Sequence, residues 1–455
     1  MTSSDVDALG ALRAVETELD RRWPETRIEP SLTRISALVD LLGSPQRSYP
    51  VLHVAGTNGK TSVARMIDAL LTRIGLRVGR YTSPHLQLAT ERISLDGAPI
   101  SPQRYVEAYR DIEQYLALVD AGSAVPLSKF EVLTAMALAA FADAPVDAAV
   151  VEVGLGGSWD ATNVADATVA AITPIAVDHV DYLGTDLAGI ATEKAGIIKP
   201  GSIAILAEQP PEVARVLAAR SVEVDATVAR EGLEFGVLHR DVAVGGQQLR
   251  LQGLGGVYDE IFLPLHGAHQ ARNAALALAT TEAFFGAGAT RSLDIEAVRD
   301  AFAAVTTPGR MERVRSAPSV FLDSAHNPHG ARALAAALRD EFAFRKLVAV
   351  VGVLSDKDAR GILAELEPVV DEVVVTAGSS PRAMAVDELA ATAREVIGEE
   401  RLQVEAHLPD AIETAVAMAE EVDPDADRIS GAGVVITGSV TTAGQARTLF
   451  GREPQ

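Results

Sequence analysis

Val51-Leu52-His53-Val54-Ala55-Gly56-Thr57-Asn58-Gly59-Lys60-Thr61-Ser62 decides the fold of this chain. The first five residues, apolar except for His53, read as a buried strand. The next four form a glycine-containing turn. Beyond them Val63, Met66, Ile67, Leu70, Leu71 and Ile74 recur at helical spacing, and Gly75 supplies a stop. Strand, glycine turn and helix in that order make a phosphate cradle. Gly59 and its neighbours Thr57 and Asn58 let backbone N–H groups face an anion, Lys60 offsets β/γ-phosphate charge, and a hydroxyl of Thr61 or Ser62 can approach Mg²⁺ or phosphate. Val54 stands where the longer phosphate-loop pattern has its first glycine, so only the short Gly-Thr-x-Gly-Lys-Thr version is present.

Working outward, further strands are expected over residues 148–153, 169–173 and 203–206, with helices between several of them, for example 130–141. Residues 241–265 change character, and Gly245-Gly246 and Gly253-Leu254-Gly255-Gly256 read as turns between short antiparallel strands. A helix follows over 270–285. A second alternating run has strands expected at 319–322, 347–353, 372–376 and 434–437. The fold class is therefore α/β: an N-terminal phosphate-loop domain with a mainly parallel sheet and a small antiparallel sheet, then a Rossmann-like C-terminal α/β domain. We place the domains at 1–305 and 310–455, with 306–309 as linker and hinge. Residues 423–427 are expected to form an acidic solvated loop, and 452–455 to fray.

Composition narrows the function. The chain has 455 residues and a net charge of −22, from 40 Lys and Arg against 62 Asp and Glu. Such a surface repels nucleic acid and anionic membranes. No cysteine is present, which excludes thiolate metal sites and disulfides. No apolar run is long enough to span a bilayer, and the N-terminus lacks the pattern of a signal peptide, so a cytoplasmic location is expected.

Two acidic segments stand where parallel sheets bind ligands. Glu152 ends the run Ala-Ala-Val-Val-Glu and can face the phosphate loop across Mg²⁺; an ordinary partner for it would be an arginine. Asp178-His179-Val180-Asp181 follows another expected strand. Lys194, beside Glu193, reads by composition as half of a solvated pair.

Taken in order, Gly56–Thr61, Tyr81-Thr-Ser-Pro-His-Leu86, Glu91-Arg92-Ile93, Phe130-Glu131, Glu152-Val-Gly-Leu-Gly-Gly157 and Asp160-Ala-Thr-Asn163 form a series. It continues with Asp178-His179, Glu193-Lys-Ala-Gly-Ile-Ile-Lys199, Gly267-Ala-His-Gln270 with Asn273, Pro308-Gly-Arg310, Asp323-Ser-Ala-His-Asn-Pro328, Asp356-Lys-Asp358, Pro381-Arg382 and Gly438-Ser439. The series resembles the folylpolyglutamate synthase/dihydrofolate synthase family of the Mur ligase superfamily.

The resemblance implies ATP-dependent ligation of L-glutamate to dihydropteroate and to reduced folate glutamates through an acyl phosphate. Folylpolyglutamate synthesis alone, or another Mur-type amide ligation, is the alternative. It implies ATP and two Mg²⁺ ions, leaves room for a monovalent cation, and implies a monomer with small-molecule partners only. Lys60, Lys194, His179 and Glu152 would be catalytic. Ser83, Glu152 and His179 would hold Mg²⁺ together with Thr61 and a CO₂-derived carbamate on Lys194. Asn273, Arg310 and Asp323 would join the loop in holding nucleotide. His326 and Ser439 would face glutamate. Phe130, Glu131, Trp159, Asp160 and Ala161, with Ile28, Glu29 and Pro30, would line the pterin pocket. The family often has glycine where this chain has Thr61 and Ser324, which puts the backbone geometry of two turns in question.

Overall fold

The computed structural model describes residues 3–23, 29–286, 292–421 and 431–455. These residues build three sheets. The first holds β1 (Val51–Ala55), β2 (Val78–Tyr81), β3 (Ile93–Leu95), β4 (Ala98–Pro99), β5 (Ala148–Glu152), β6 (Ala167–Ile172), β7 (Ile203–Leu206) and β8 (Thr227–Arg230). Its order is β4-β3-β2-β5-β1-β6-β7-β8. Only the β2–β3 and β3–β4 pairs are antiparallel. β1 is central and buried along its whole length, as its run of apolar residues around the single polar His53 requires.

Helices cover both faces of this sheet. On one, Lys60–Ile74, Ala268–Phe284 and Ile295–Ala304 share a core with the small antiparallel sheet of β9 (Gly236–Ala243), β10 (Gly246–Gln252) and β11 (Val257–Leu263). On the other, Ser3–Asp20, Thr33–Leu41, Pro102–Gly122 and Lys129–Asp143 enclose a second core.

The third sheet holds β12 (Glu312–Ser316), β13 (Ser319–Leu322), β14 (Lys346–Val351), β15 (Glu372–Ala377), β16 (Leu402–His407) and β17 (Ala432–Thr437), in the order β12-β13-β17-β14-β15-β16. β12 is antiparallel to β13 and the rest are parallel. Among the described residues no helix is long and apolar enough to cross a membrane.

The structure corrects two expectations. The residues from Arg452 onward do not fray: Gln87 Nε2 donates to Arg452 O at 2.9 Å, Arg65 Nη2 donates to Gln455 O at 2.5 Å, and Arg447 donates to Glu453 O. The short or edge strands β2, β3, β4, β8, β12 and β16 lie outside the expected set. An edge strand pairs on one side only and so needs little apolar sequence, as Glu312-Arg-Val-Arg-Ser316 illustrates. Residues 423–427 and Ile28 lie outside the described residues.

Candidate active site

The carboxyl ends of the parallel strands in both large sheets open onto one cleft of about 1380 Å³. Gly59 starts the helix Lys60–Ile74 with φ 91° and no side chain caps it, so its first N–H groups stay open to an anion. A Cβ on Gly59 would lie 2.8 Å from Asn273 Oδ1, so only glycine fits. Thr57 ties the loop to the end of β6: its hydroxyl donates to Ala176 O at 2.9 Å and accepts from Ala176 N at 3.0 Å.

Lys60 Nζ donates to Thr57 O at 3.0 Å. Part of its surface faces the cleft, yet protein surrounds the ammonium. Desolvation pushes its pKa down, against the pull of Glu152 and Asp178. Glu152 is buried and has no arginine hydrogen-bonded to it. Its carboxylate accepts from Thr61 Oγ1 at 2.9 and 3.0 Å, and burial raises its pKa against the opposing Lys60 charge. Thr61 thus gives the helix start a hydroxyl that glycine would lack, without a positive φ, and Ser324 also keeps a negative φ. Ser62 is turned inward, its hydroxyl accepting from Gln270 Nε2 at 3.3 Å.

Lys194 is not half of a solvated pair. It sits in the last turn of the helix Leu187–Ala195, 5% exposed, because Ser158 N and Gly157 pack its turn against the loop after β5. Burial, reinforced by Lys60, pushes its pKa down to about 7. It faces a cavity of about 30 Å³ shared with Lys60, Asp178, His179 and His326. His179 stands in the left-handed region, φ 51°, a sparsely populated conformation for a side chain of its size. Burial pushes its pKa down to about 3, so the imidazole is neutral.

Asp178 joins the two halves. Lys357 Nζ lies 2.6 Å from Oδ1, Asn327 Nδ2 donates to Oδ2 at 2.8 Å, and His326 Nε2 is 3.4 Å away. Burial pulls the Asp178 carboxyl upward, but the His326 hydrogen bond and the positive charge of Lys357 outweigh it and hold the group well below its ordinary range. Asn58 and Asn327 exchange amide hydrogen bonds at 3.1 Å in both directions, also across the cleft.

The other expected site residues are placed as follows. Arg310, Asp323 and Asn273 line the cleft. Asp323 uses both oxygens on backbone, accepting from Met311 N at 2.9 Å and Ala325 N at 2.8 Å, so it shapes the loop that carries Arg310. Asn273 donates to Gln270 at 3.1 Å. Ser439 caps a helix, its hydroxyl accepting from Thr442 N at 3.0 Å.

Ser83 lines the cleft beside Glu152, to which its backbone N–H donates. Phe130, Glu131, Trp159, Asp160, Ala161 and Glu29 line the same cleft; Pro30 is exposed and does not. Glu131 is committed to Arg34, at 3.1 Å, and to the start of its own helix through Ser128 N at 2.8 Å. With both partners nearly buried, removing one would leave an uncompensated charge, which costs about 3 kcal/mol or more. Sequence reasoning gave no role to Lys357 or Asn327 and read Asp178 only as part of an acidic segment after a strand. Asp178-His179, Asp323-Ser-Ala-His-Asn-Pro328 and Asp356-Lys-Asp358 stood in the ordered series and were the available signals.

The comparisons with known proteins follow this geometry. Residues 54–281 match the Mur ligase middle domain and residues 309–439 the Mur ligase glutamate ligase domain. The dihydrofolate synthase/folylpolyglutamate synthase of Mycobacterium tuberculosis is 63% identical over 99% of this chain and 96% of its own. The solved structure of M. tuberculosis folylpolyglutamate synthase complexed with ADP superposes with a TM-score of 0.95 at 62% identity, covering 98% of this chain and 100% of that one. Escherichia coli FolC in complex with DHPP and ADP gives 0.83 at 31% identity, covering 97% of each. These matches extend over both units of the chain, the one that carries the phosphate loop and the buried Glu152 and the one that completes the cleft opposite them. The chain belongs to the Mur ligase family, within its dihydrofolate synthase/folylpolyglutamate synthase branch, and is an ATP-dependent ligase that forms amide bonds.

Proposed function

We propose that the protein joins L-glutamate to dihydropteroate, giving dihydrofolate, and extends reduced folate glutamates by the same chemistry. One observation carries this reading. A single cleft is lined by the open helix start at Lys60, the buried Glu152, Lys357 and Arg382 of the second unit, and Phe130, Trp159 and Asp160, while Lys60 also lines the small cavity that Lys194 faces.

The substrate carboxylate attacks the γ-phosphorus of ATP, the bond from that phosphorus to the bridging oxygen breaks, ADP leaves, and an acyl phosphate remains. The loop N–H groups and Lys60 hold the transferring phosphoryl group. The amine of glutamate then attacks the acyl carbon, and phosphate leaves from the tetrahedral intermediate. Arg310 reaches phosphate from beside the linker. Lys357 is placed to take a glutamate carboxylate in exchange for Asp178. His326 and the loop before Ser439 flank the same place.

The residues present fit Mg²⁺. Among the described residues no three His, Asp or Glu side chains converge to hold a metal alone. Mg²⁺, however, prefers one or two carboxylates with phosphate oxygens and water. Glu152, Thr61, Ser83, the neutral His179 and a carbamate on Lys194 offer such a set. When bound, the ions supply charge neutralisation at the phosphates.

We assign 1–305 and 310–455 as domains and 306–309 as the hinge that closes them over the acyl phosphate. Gly309, at φ 65°, and the turn bond from Arg310 N to Thr307 O at 3.1 Å support a pivot there. Thr307→Pro is expected to lower kcat about tenfold while ADP affinity, read by calorimetry, stays within about twofold. Unchanged turnover removes the hinge. For the function itself, ADP release should require both glutamate and a pteroate or folate. Release with neither present contradicts it.

A further inference from the structure

One buried imidazole is left unused by this mechanism. His53 lies in the middle of β1 and is fully buried, among valine and alanine neighbours on β5 and β6. Its Nε2 is 2.9 Å from Thr162 Oγ1. The Thr162 hydroxyl donates to Asp160 Oδ1, and Thr162 N donates to the same oxygen at 2.9 Å. Asp160 Oδ2 accepts from Leu155 N at 2.9 Å. Asp160 lines the cleft, as do the rings of Phe130 and Trp159 and the side chain of Ala161. The Phe130 ring lies flat against Gly154, where a Cβ would stand 2.4 Å from Cζ.

The direction of this chain follows from what each group can donate. A carboxylate surrounded by N–H donors accepts only, so the threonine hydroxyl points its proton at Asp160. Its oxygen is then free to accept, and His53 Nε2 must carry the hydrogen. Nδ1 is left without one, which agrees with its having no hydrogen-bond partner. The opposite direction would strand a buried N–H on Nδ1, the rarer and less favourable arrangement. A valine at position 53 would pack as its neighbours do and leave no orphaned nitrogen.

We infer that His53 is a positioning residue: through Thr162 it fixes the Asp160 carboxylate as an acceptor for the N–H edge of a flat heteroaromatic ring seated against Phe130 and Trp159. Under the function proposed above that ring is the pterin, and the inference rests on that reading. His53 does not touch substrate, so its effect is confined to one arm of the cleft.

The test is steady-state kinetics with dihydropteroate, ATP and glutamate varied in turn. Thr162→Val keeps the shape and removes the hydroxyl; His53→Leu removes the donor. Both should raise KM for dihydropteroate about tenfold, with kcat and the KM values for ATP and glutamate within about twofold. Thr162→Ser and His53→Gln, which retain the donors, should restore most of the loss. An unchanged dihydropteroate KM in Thr162→Val, or equal losses for all three substrates, overturns the inference. Should His53→Leu fail to fold, the isosteric threonine pair decides. A parent enzyme inactive on dihydropteroate would instead remove the proposed function itself.

Discussion

Lys194→Ala should lower turnover about 10³-fold while leaving ADP affinity within about twofold of the parent. The amine is almost fully buried, in a cavity of about 30 Å³ that Lys60 and His179 also line. CO₂ adds only to a neutral amine, and a lysine held at about 7 supplies one far more readily than an exposed lysine does. Alanine removes the amine on which a carbamate would form, with the oxygen ligands that carbamate would offer, and leaves a space the size of a short carboxylate. Formate or acetate at high concentration should therefore restore part of the turnover to Lys194→Ala and none to the parent. Lys194→Arg, which cannot be carbamylated, should be as slow as alanine and should not be rescued. Loss of ADP binding in both variants would show that Lys194 only supports the fold. Full activity in Lys194→Arg would show that its charge alone suffices.

Lys60→Met should be comparably slow, about 10³-fold down in kcat, for a different reason. Methionine keeps the length of the stem and the start of the helix. The backbone N–H groups that face the phosphates remain, so ADP affinity should fall only several-fold. What is lost is the ammonium beside Glu152, and with it the offset of charge developing on the transferring phosphoryl group. Quench-flow measurement of acyl phosphate formation should show the loss in the first chemical step. A normal first step with slow amide formation would place Lys60 elsewhere in the mechanism.

The legible parts of the molecule were those where local sequence and tertiary role agree. The run Val51–Ala55 is buried on both faces, so it is apolar at every position but His53 and could be read as a central strand. Gly59 and Lys60 are forced by anion geometry and leave a short signature. Lys194 was the opposite case: Glu193-Lys194 resembles any surface pair, and only the packing of Gly157 and Ser158 against that turn makes it buried. The contact between Asp178 and Lys357 joins residues 179 positions apart, beyond the reach of periodicity or spacing. Asp323, Glu131 and Ser439 carried another kind of surprise. Each lines the cleft, yet its oxygens are held by backbone N–H groups or by a buried arginine, a role that composition cannot separate from ligand contact. The strand His53 was read only as part of β1, because its link to Asp160 runs through a residue more than a hundred positions away.

The central claim is tested most directly by mass spectrometry of the reaction products. The purified protein is given ATP, Mg²⁺ and glutamate, with dihydropteroate in one tube and a reduced folate monoglutamate in the other. Addition of one glutamate in each tube, matched by an equal amount of ADP, is the predicted result. No glutamate added in either tube, with ADP still bound by the protein, would contradict the account.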